Sequence, residues 1–322
     1  MERELALELV RVTETAALAS ARWMGKGDKH RADEAAVRAM RDMFDTVSVK
    51  GTVVIGEGEM DNAPMLYIGE KVGNGNGTEV DIAVDPLEGT ELVAKGMGNA
   101  LSVIAVADRG QILNAPDIYM EKLACGPALK GKLSLEEPLD VTLHKAADIL
   151  GKSIENLTVA ILDRKRHAHQ MEILRTCGVR IKCLTAGDVA GAIAPSFPET
   201  GVDLYVGSGG APEGVLAAAA LRCLGGELLG RLMPEDDEQL ERCYRMGIKD
   251  PRRVLTLEDM IGDGDVIFAA TGITRGDFLE GVRFLADRYA ETDSIVMRAK
   301  TRTIRYIRTR HYLPYKPMLV AN

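Results

Sequence analysis

Strand-like and helix-like segments alternate along the second half of the chain, and this alternation restricts the fold more than any other feature. The segments are apolar runs at 157–162, 179–184 and 202–206 and helical patterns at 167–177, 188–194 and 214–224. Such alternation predicts βαβ units, in which helices cover parallel strands. The sequence therefore predicts an α/β fold for this part of the chain.

The first half of the chain is organised differently. Residues 1–47 are predicted to form two helices, and the residues after them are rich in strand-like runs. The turn sequence Asp108-Arg109-Gly110 predicts a β-hairpin with a second strand at 111–113. A chain of 322 residues, 46% of them hydrophobic, is long enough for two subdomains. The pattern is interrupted near the middle of the chain, so we predict subdomains at 1–150 and 151–322.

A long basic strand is predicted at 294–306. One face of this run carries Arg298, Lys300 and Arg302. Because charged edges protect a sheet from aggregation, we expect this strand to form a solvated edge or an edge between subunits.

The composition argues against several functional classes. A formal net charge of −8 disfavours nucleic acid or an anionic membrane as the main partner. No apolar run approaches the ~20 residues of a membrane span, and the amphipathic first helix is not a signal peptide. The cysteines form no C-x-x-C pair, so we expect reduced thiols in a cytoplasmic protein. They are Cys125, Cys177, Cys183, Cys223 and Cys243.

An acidic turn follows an apolar strand at 80–84. Pro86 cannot donate a hydrogen bond to a neighbouring strand, so the strand is expected to end there. Asp85, Glu88 and Thr90 follow closely, and oxygen ligands of this kind bind hard cations such as Mg²⁺ together with substrate phosphate. A capping box, with Asp85 as the helix N-cap and Glu88 as its partner, explains the same residues without a ligand. The segment alone leaves both interpretations open.

A second acidic turn, at 56–61, follows another short strand. It carries Glu57, Glu59 and Asp61 between glycines. A glycine backbone lets a ligand approach closely, so this turn is a second candidate for metal binding.

Asp33 is a further acidic candidate, because it precedes an apolar helical stripe. A carboxylate at the head of such a stripe points inward, where a charge needs a partner or a metal ion. Lys29, one turn earlier on the same face, offers a simple ion pair as the alternative. The stripe consists of Val37, Met40, Phe44 and Val47.

A glycine-rich run separates the strand at 202–206 from the helix that follows. Gly207-Ser208-Gly209-Gly210 is predicted to be a loop, and a loop leading to a helix N-terminus makes an anion-binding cradle. An ordinary helix start, in which Glu213 complements the helix dipole, is the alternative. Pro212 occupies the third glycine position of G-x-G-x-x-G, which argues against a dinucleotide site.

Basic residues suited to an anionic substrate follow the strand at 157–162. Arg164-Lys165-Arg166 occupies the position at which open α/β sheets bind ligands, and arginine matches the oxygens of phosphate. A solvated run of charges is the alternative. His167 and His169 lack partners for a metal site, and we interpret them as surface or supporting residues. Asp188, after another strand, is predicted to cap a helix, to accept sugar hydroxyls, or both.

Four of these elements, in their order along the chain, resemble the lithium-sensitive, metal-dependent sugar phosphatase superfamily. More closely, the chain is similar to bacterial class II fructose-1,6-bisphosphatases. The elements are Asp33, Gly56-Glu57-Gly58-Glu59, Asp85-Pro86-Leu87-Glu88-Gly89-Thr90 and Gly209-Gly210-Ala211-Pro212-Glu213. Further support comes from the strings at 63–70, 119–122 and 269–274, and the resemblance covers nearly the whole chain.

The resemblance implies a layered α/β/α/β/α sandwich that assembles as a homodimer or homotetramer. It also implies a cytoplasmic enzyme that hydrolyses the 1-phosphate of fructose 1,6-bisphosphate with two divalent cations, Mn²⁺ or Mg²⁺. Asp33 and Glu57 would hold one cation, and Asp85, Glu88 and Glu213 would hold the other. The superfamily more often has Asp at the position of Glu88.

The resemblance further implies which residues bind the substrate. They are Glu88, Gly89, Thr90, Tyr119, Arg164, Lys165, Arg166, Ala186, Gly187, Asp188 and Gly210. We assign Thr90 to orient the attacking water, with Asp61 or Glu59 as the proton acceptor. A threonine hydroxyl can accept from the water while donating to a carboxylate.

Other functions compete with this interpretation. A related phosphatase could share the metal ligands and act on sedoheptulose bisphosphate, an inositol phosphate or a nucleotide bisphosphate. Arg164, Arg166 and Asp188 would then decide the substrate, and a basic cluster there favours a second phosphate. A non-catalytic sugar-phosphate-binding or regulatory protein is the alternative from another class. The chain retains the carboxylates that a two-metal site requires, which favours an enzyme.

Overall fold

A computed structural model describes residues 1–58, 64–286 and 288–316 of the chain. The chain divides into two units, the first made of Met1–Ile112 and Gly264–Asn322 and the second of Leu113–Asp263. Each unit contains a sheet with helices packed against it, which confirms the predicted α/β class. The boundary predicted at residue 150 separates a metal-binding subdomain from a sugar-phosphate-binding subdomain. This assignment stays a prediction.

The first unit is built on an eight-stranded sheet. Its strands are β1 (Lys50–Ile55), β2 (Lys71–Val72), β3 (Glu79–Glu88), β4 (Leu101–Asp108), β10 (Val266–Gly272), β11 (Arg283–Phe284), β12 (Tyr289–Arg298) and β13 (Thr303–Tyr312). They follow the order β11-β12-β10-β4-β3-β1-β2, and β13 pairs with β12. β1 runs parallel to β3, whereas the central pair β3–β4 is antiparallel.

Helices α1 (Leu5–Ser20), α2 (Lys29–Phe44) and α3 (Thr90–Lys95) belong to the first unit. α1 packs against β10 and β12, and α2 packs against α1 and β3. α1 and α2 confirm the two helices predicted for residues 1–47. The predicted apolar stripe, on α2 and just after it, is buried in the core. Its members Val37, Met40, Phe44 and Val47 are 7%, 0%, 0% and 1% exposed.

The second unit is built on a five-stranded sheet. Its strands are β5 (Tyr119–Cys125), β6 (Thr158–Leu162), β7 (Arg180–Leu184), β8 (Leu204–Gly210) and β9 (Glu227–Leu232), in the order β7-β6-β8-β5-β9. Its helices are α4 (Leu139–Leu150), α5 (Ala168–Thr176), α6 (Asp188–Ile193), α7 (Ala211–Leu224), α8 (Asp237–Arg245) and α9 (Leu257–Met260). β6 is parallel to both β7 and β8, so the predicted βαβ units are confirmed.

Short 3₁₀ turns complete the elements of both units. They are Ala21–Trp23, Pro127–Leu129, Ile154–Asn156, Lys165–His167, Ala194–Ser196, Pro198–Thr200 and Leu313–Tyr315. All five cysteines are free thiols, as predicted. In the part of the chain that the structure describes, no helix is long and apolar enough to cross a membrane.

The hairpin predicted around Asp108-Arg109-Gly110 is wrong. β4 pairs within the first sheet, whereas the next strand, β5, pairs in the second sheet. The turn closes on a carboxylate instead, since Asp81 accepts a hydrogen bond from the Gly110 backbone N at 2.6 Å and pairs with the Arg109 side chain. Residues 111–113 therefore lead out of the first unit and form no strand.

The single long strand predicted at 294–306 is also wrong, because the chain reverses within it. β12 and β13 form an antiparallel hairpin that pairs from Tyr289 and Tyr312 to Arg298 and Thr303. Arg302 adopts a φ of 48° in the connecting turn, a left-handed conformation that periodicity does not reveal. Arg298, expected on a solvated edge, instead pairs with Asp265 at 2.5 Å.

Candidate active site

The acidic residues predicted to form a turn after the strand lie instead within the end of β3. Pro86 does not end the strand, because β3 continues to Glu88 through a shift in register between Asp85 and Glu88. Proline is tolerated at such an irregularity, where no ladder hydrogen bond is required from its nitrogen. The Asp85 Oδ1 atom accepts a hydrogen bond from the Leu87 backbone N at 3.1 Å, which holds the carboxylate beside the shift.

The capping-box alternative for this turn is wrong. α3 begins at Thr90, and its N-cap is Gly89 at a φ of 89° rather than Asp85. Glycine is required there because side-chain-bearing residues rarely adopt this conformation. Glu88 is buried, whereas Gly89 and Thr90 are partly exposed. The turn thus presents the Thr90 hydroxyl at the start of a short helix, directly after a buried carboxylate.

Glu57 lies beside the same edge of the first sheet. β1 and β3 are parallel, with Ile55 opposite Ala83, so Glu57 and Asp85 each follow this pair by two residues. The carboxyl ends of adjacent parallel strands meet at one edge of a sheet, which brings these two carboxylates to neighbouring positions. The turn after β1 is held by a 3.1 Å hydrogen bond from the Glu57 backbone N to Leu66 O. Glu59 and Asp61 lie outside the described residues.

Asp33 occupies the second turn of α2 and is partly buried. Burial raises the pKa of this carboxyl, and the nearby His30 opposes the shift. Lys29 pairs with Glu91 of α3 at 3.1 Å rather than with Asp33, so the ion-pair alternative is wrong. Since α2 packs against β3, Asp33 is carried by an element that contacts the strand of Asp85.

In the second unit, the predicted glycine loop is part of a strand. Gly207-Ser208-Gly209-Gly210 belongs to β8, which pairs with β5 as far as Tyr119 opposite Gly210, and α7 follows immediately. The glycines have no Cβ, so two carboxylates can pack directly against the backbone of this strand. A Cβ at Gly209 would lie 1.8 Å from Asp188 Oδ2, and a Cβ at Gly210 would lie 1.9 Å from Glu213 Oε2. The loop interpretation is therefore wrong.

Asp188 is the centre of a buried polar network. Lys122 is buried in β5, and its Nζ donates to Asp188 Oδ2 at 2.5 Å and to the carbonyl O of Gly210 at 2.7 Å. The Tyr205 hydroxyl donates to Asp188 Oδ1 at 2.5 Å. Asp188 does not act as a helix N-cap, because Gly187, at a φ of 94°, holds that position. Both carboxylate oxygens are thus oriented by donors from the strands.

Glu213 has the environment expected of a metal ligand. Its side chain is partly exposed, but the Oε2 atom is buried and, among residues 1–58, 64–286 and 288–316, receives no hydrogen bond. Burial raises the pKa of this carboxyl, and the charge of Lys122 opposes the shift. A buried carboxylate oxygen without a donor is costly unless a cation reaches it. Carboxylates are also the ligands that hard divalent cations select, so this residue fits such an ion.

The basic run follows β6, as predicted. Arg164, Lys165 and Arg166 are exposed, and Lys165–His167 form a 3₁₀ turn ahead of α5. The Arg166 guanidinium lies over the Tyr119 ring, with Cζ 4.5 Å from the ring centroid. Its Nε and Nη2 atoms donate to Oγ and O of Ser208 at 3.0 and 2.7 Å. One arginine of the run is therefore held in place beside β5 and β8.

Several residues that contact Asp188 and Arg166 are not predicted from the sequence. Lys122 stands in an apolar strand, where a lone lysine signals a buried partner, but nothing in the sequence names Asp188 as that partner. The sequence pattern assigns Tyr205 to a strand and Ser208 to a loop, and neither residue carries a signal of its contacts. Within the described ranges, no three His, Cys, Asp or Glu side chains converge closely enough to hold a metal ion.

The two mixed sheets define an α/β protein. The first unit carries carboxylates, which suit a cation, and the second carries an anchored arginine, which suits an anion. The family model described as bacterial fructose-1,6-bisphosphatase, glpX-encoded, matches residues 3–311. The chain therefore belongs to the bacterial class II fructose-1,6-bisphosphatase family.

Named relatives agree with this membership. The fructose-1,6-bisphosphatase 1 class 2 of Escherichia coli K12 is 50% identical over 98% of this chain and 97% of its own length. The class 2 enzyme of Shigella flexneri shows the same identity and coverage. The class 2 enzyme of Haemophilus influenzae is 46% identical over 97% of each chain.

Proposed function

We propose that this chain hydrolyses the 1-phosphate of fructose 1,6-bisphosphate to give fructose 6-phosphate and phosphate. The observation that carries the proposal is the 50% identity, over 98% of the chain, to a relative named fructose-1,6-bisphosphatase class 2. The buried carboxylates and the anchored Arg166 support it, because the reaction needs a charged phosphate to be bound and neutralised.

The proposed metal ligands are the carboxylates singled out above. Asp33 and Glu57 would hold one divalent cation, and Asp85, Glu88 and Glu213 would hold the other. Mn²⁺ and Mg²⁺ both suit oxygen ligands of this kind. When bound, the cations supply positive charge for the phosphate oxygens and activate the attacking water. The raised pKa of Asp33 and of Glu213 supports the assignment, since a cation offsets the cost of burying each charge.

Thr90 would orient the attacking water. Its hydroxyl would accept one hydrogen bond from the water and donate another to a carboxylate. The proton released by the water then passes to Asp61 or Glu59, the proposed acceptors. Glu88 and Gly89, which precede Thr90, would contact the phosphate that is removed.

The second unit would bind the sugar and its second phosphate. Asp188 would accept sugar hydroxyls, because Lys122 and Tyr205 fix both of its oxygens in orientation. Arg166 would bind the second phosphate through a planar guanidinium that matches phosphate oxygens. The remaining proposed contacts are Tyr119, Arg164, Lys165, Ala186, Gly187 and Gly210.

We also propose that residues 1–150 provide most metal ligands and residues 151–322 bind the sugar phosphate and contribute Glu213. The protein would act in the cytoplasm, which its free cysteines support. A homodimer or homotetramer is proposed from the resemblance, and light scattering of the purified protein tests it.

A panel of phosphorylated substrates tests the proposed function. Phosphate release is measured with Mn²⁺ or Mg²⁺ from fructose 1,6-bisphosphate, sedoheptulose bisphosphate, inositol monophosphate and a nucleotide bisphosphate. We expect the highest kcat/KM with fructose 1,6-bisphosphate and fructose 6-phosphate as the sugar product. A higher value with another substrate would assign the chain to that reaction. Binding of sugar phosphate without release from any substrate would favour a regulatory role.

A further inference from the structure

The imidazole of His167 is buried between β6 and β8 and is engaged at both ring nitrogens. Nδ1 lies 2.7 Å from the carbonyl O of Leu162, and Nε2 lies 2.8 Å from the backbone N of Ser208. A carbonyl can only accept, so Nδ1 carries the proton and Nε2 accepts from the N–H of Ser208. Burial lowers the pKa of His167, which favours this neutral form. The ring therefore joins two strands in one defined orientation.

Ser208 connects this imidazole to Arg166. Its Oγ lies 3.0 Å from His167 Nε2 and 3.0 Å from Arg166 Nε. A guanidinium can only donate, so the hydroxyl oxygen of Ser208 accepts from Arg166 Nε. The one lone pair of His167 Nε2 accepts from the backbone N–H of Ser208, and the hydroxyl lies against the same ring nitrogen. The carbonyl O of Ser208 accepts a second bond from the guanidinium, at 2.7 Å from Nη2. Ser208 therefore accepts both hydrogen bonds from Arg166 while its backbone N–H is held by the imidazole.

These contacts fix an exposed guanidinium before any ligand arrives. Arg166 is exposed, yet it is bonded twice to Ser208 and stacked on Tyr119. A free arginine loses much side-chain entropy when it binds an anion, and prior fixing lowers that cost. Two of the five N–H donors are used by Ser208, which leaves up to three for a ligand. Donors in this planar arrangement suit the oxygens of a phosphate.

We infer that His167 and Ser208 are positioning residues that hold Arg166 for the second phosphate of the substrate and thereby set the preference for a bisphosphate over a monophosphate. The inference rests on the proposed function, from which the second phosphate is taken. Both residues act through Arg166. Their removal should therefore affect recognition of the second phosphate more than the chemistry at the first.

Binding of fructose 6-phosphate tests the inference without turnover, because this product carries the second phosphate alone. Titration calorimetry compares the wild type with Ser208→Ala, Arg166→Ala and the double variant. We expect Ser208→Ala to raise Kd about ten-fold, near the lower limit for a lost hydrogen bond to a charged group, because Arg166 keeps its bond to the Ser208 carbonyl. In the Arg166→Ala background the same change should have little further effect. An equal loss in both backgrounds, or no loss in either, would overturn the inference.

A matched substitution controls for packing. Ser208→Thr keeps the hydroxyl and should bind fructose 6-phosphate within about two-fold of the wild type. If Ser208→Ala does not fold, Ser208→Cys replaces it in the same cycle, since a thiol is a weak hydrogen-bonding group of similar shape. Equal weakening by Thr and Ala would show that volume, not the hydroxyl, matters and would contradict the inference.

Kinetics provide a second readout that a merely structural role would not move. We expect Ser208→Ala to lower the ratio of kcat/KM for fructose 1,6-bisphosphate to that for fructose 1-phosphate about ten-fold. A structural defect would lower both values together and leave the ratio unchanged, which would refute the inference. A wild type that hydrolyses neither substrate would refute the proposed function instead. The binding experiment would still decide the role of Ser208.

Discussion

At the scale of one residue, the buried carboxylate of Glu213 supports its proposed role as a metal ligand. Its Oε2 atom is buried, and burial raises the pKa of the carboxyl. The sequence predicts that Glu213 lies at a helix start, where interaction with the helix dipole is the alternative explanation. Interaction with the helix dipole does not account for a buried oxygen without a donor among the described residues, so the burial supports the proposed metal role.

Substitution of Glu213 by glutamine should raise the metal concentration required for half-maximal activity. The amide keeps the size of the side chain but removes the charge that a cation binds. Activity and metal affinity, the latter by calorimetry, are measured across a Mn²⁺ titration. Glu199→Gln, on the same unit, is the matched control. An unchanged titration in Glu213→Gln would show that this residue is not a ligand.

Thr90→Ala should lower kcat by about 100-fold or more, by analogy with the loss of other positioned polar groups. The hydroxyl at the start of α3 is partly exposed and follows the buried Glu88, so a water can reach it. Steady-state kinetics at saturating metal measure the effect. Thr90→Ser keeps the hydroxyl and should retain most of the turnover. Near-normal kcat in Thr90→Ala would remove this residue from the mechanism.

Lys122→Met should lower the free energy of unfolding by about 3 kcal/mol, because it leaves Asp188 buried without its cationic partner. The lysine side chain is fully buried and donates to Asp188 at 2.5 Å. Urea unfolding monitored by circular dichroism measures the change. Lys130→Met, at an exposed position after the same strand, is the control. Equal stability of the two variants would contradict a structural role for the buried pair.

At the scale of elements, periodicity predicted most strands and helices but not where the chain changes direction. The α2 stripe and the β6-α5-β7 unit follow from patterns of apolar residues within a short window. The turn at Arg302 and the exit from β4 depend on single backbone conformations and on a distant carboxylate, Asp81. Such causes are not periodic. The sequence therefore predicts one long strand where the structure has a hairpin, and a hairpin after β4 where the chain leaves the first unit.

Gly209 in β8 leaves the space that the carboxylate of Asp188 occupies. Gly209→Ala would place a Cβ 1.8 Å from Asp188 Oδ2, so the carboxylate must leave Lys122 and Tyr205. We expect a loss of about 1–3 kcal/mol in stability and an increase in KM for the sugar substrate. Thermal unfolding and steady-state kinetics measure the two effects.

The control for this variant is Gly201→Ala. Gly201 has a φ of 65°, and a Cβ at this position would have open space within 4 Å. Alanine there costs only backbone strain, about 1–2 kcal/mol, and should leave KM near that of the wild type. If KM rose equally in both variants, the effect would be one of general stability rather than of Asp188.

At the scale of the molecule, a buried histidine should make folding sensitive to acid. His311 on β13 is buried beside Thr292 and Glu14, and burial, aided by Lys316, lowers its pKa from 6.5 to about 4. As the pH falls from about 6.5 to about 4, the unfolded chain takes up this proton and the folded chain does not. Stability should therefore fall across this range by up to about 3 kcal/mol.

Comparison with His311→Gln isolates this contribution. The glutamine cannot titrate, so the difference in unfolding free energy between wild type and variant should change with pH between about 4 and 6.5. The raised pKa of Glu14 opposes the trend but is present in both proteins. His169→Gln, at an exposed position, should leave the pH dependence unaltered. A difference that stays constant with pH would contradict the prediction.

Metal-dependent hydrolysis of fructose 1,6-bisphosphate is the central claim, and chelation tests it most directly. Phosphate release is measured from protein treated with a chelator, and again after Mn²⁺ or Mg²⁺ is restored, with circular dichroism to verify folding. We predict no release from the treated protein and recovery on addition of either cation, with fructose 6-phosphate as product. Release that survives chelation, or none from folded protein with both cations, would contradict the account.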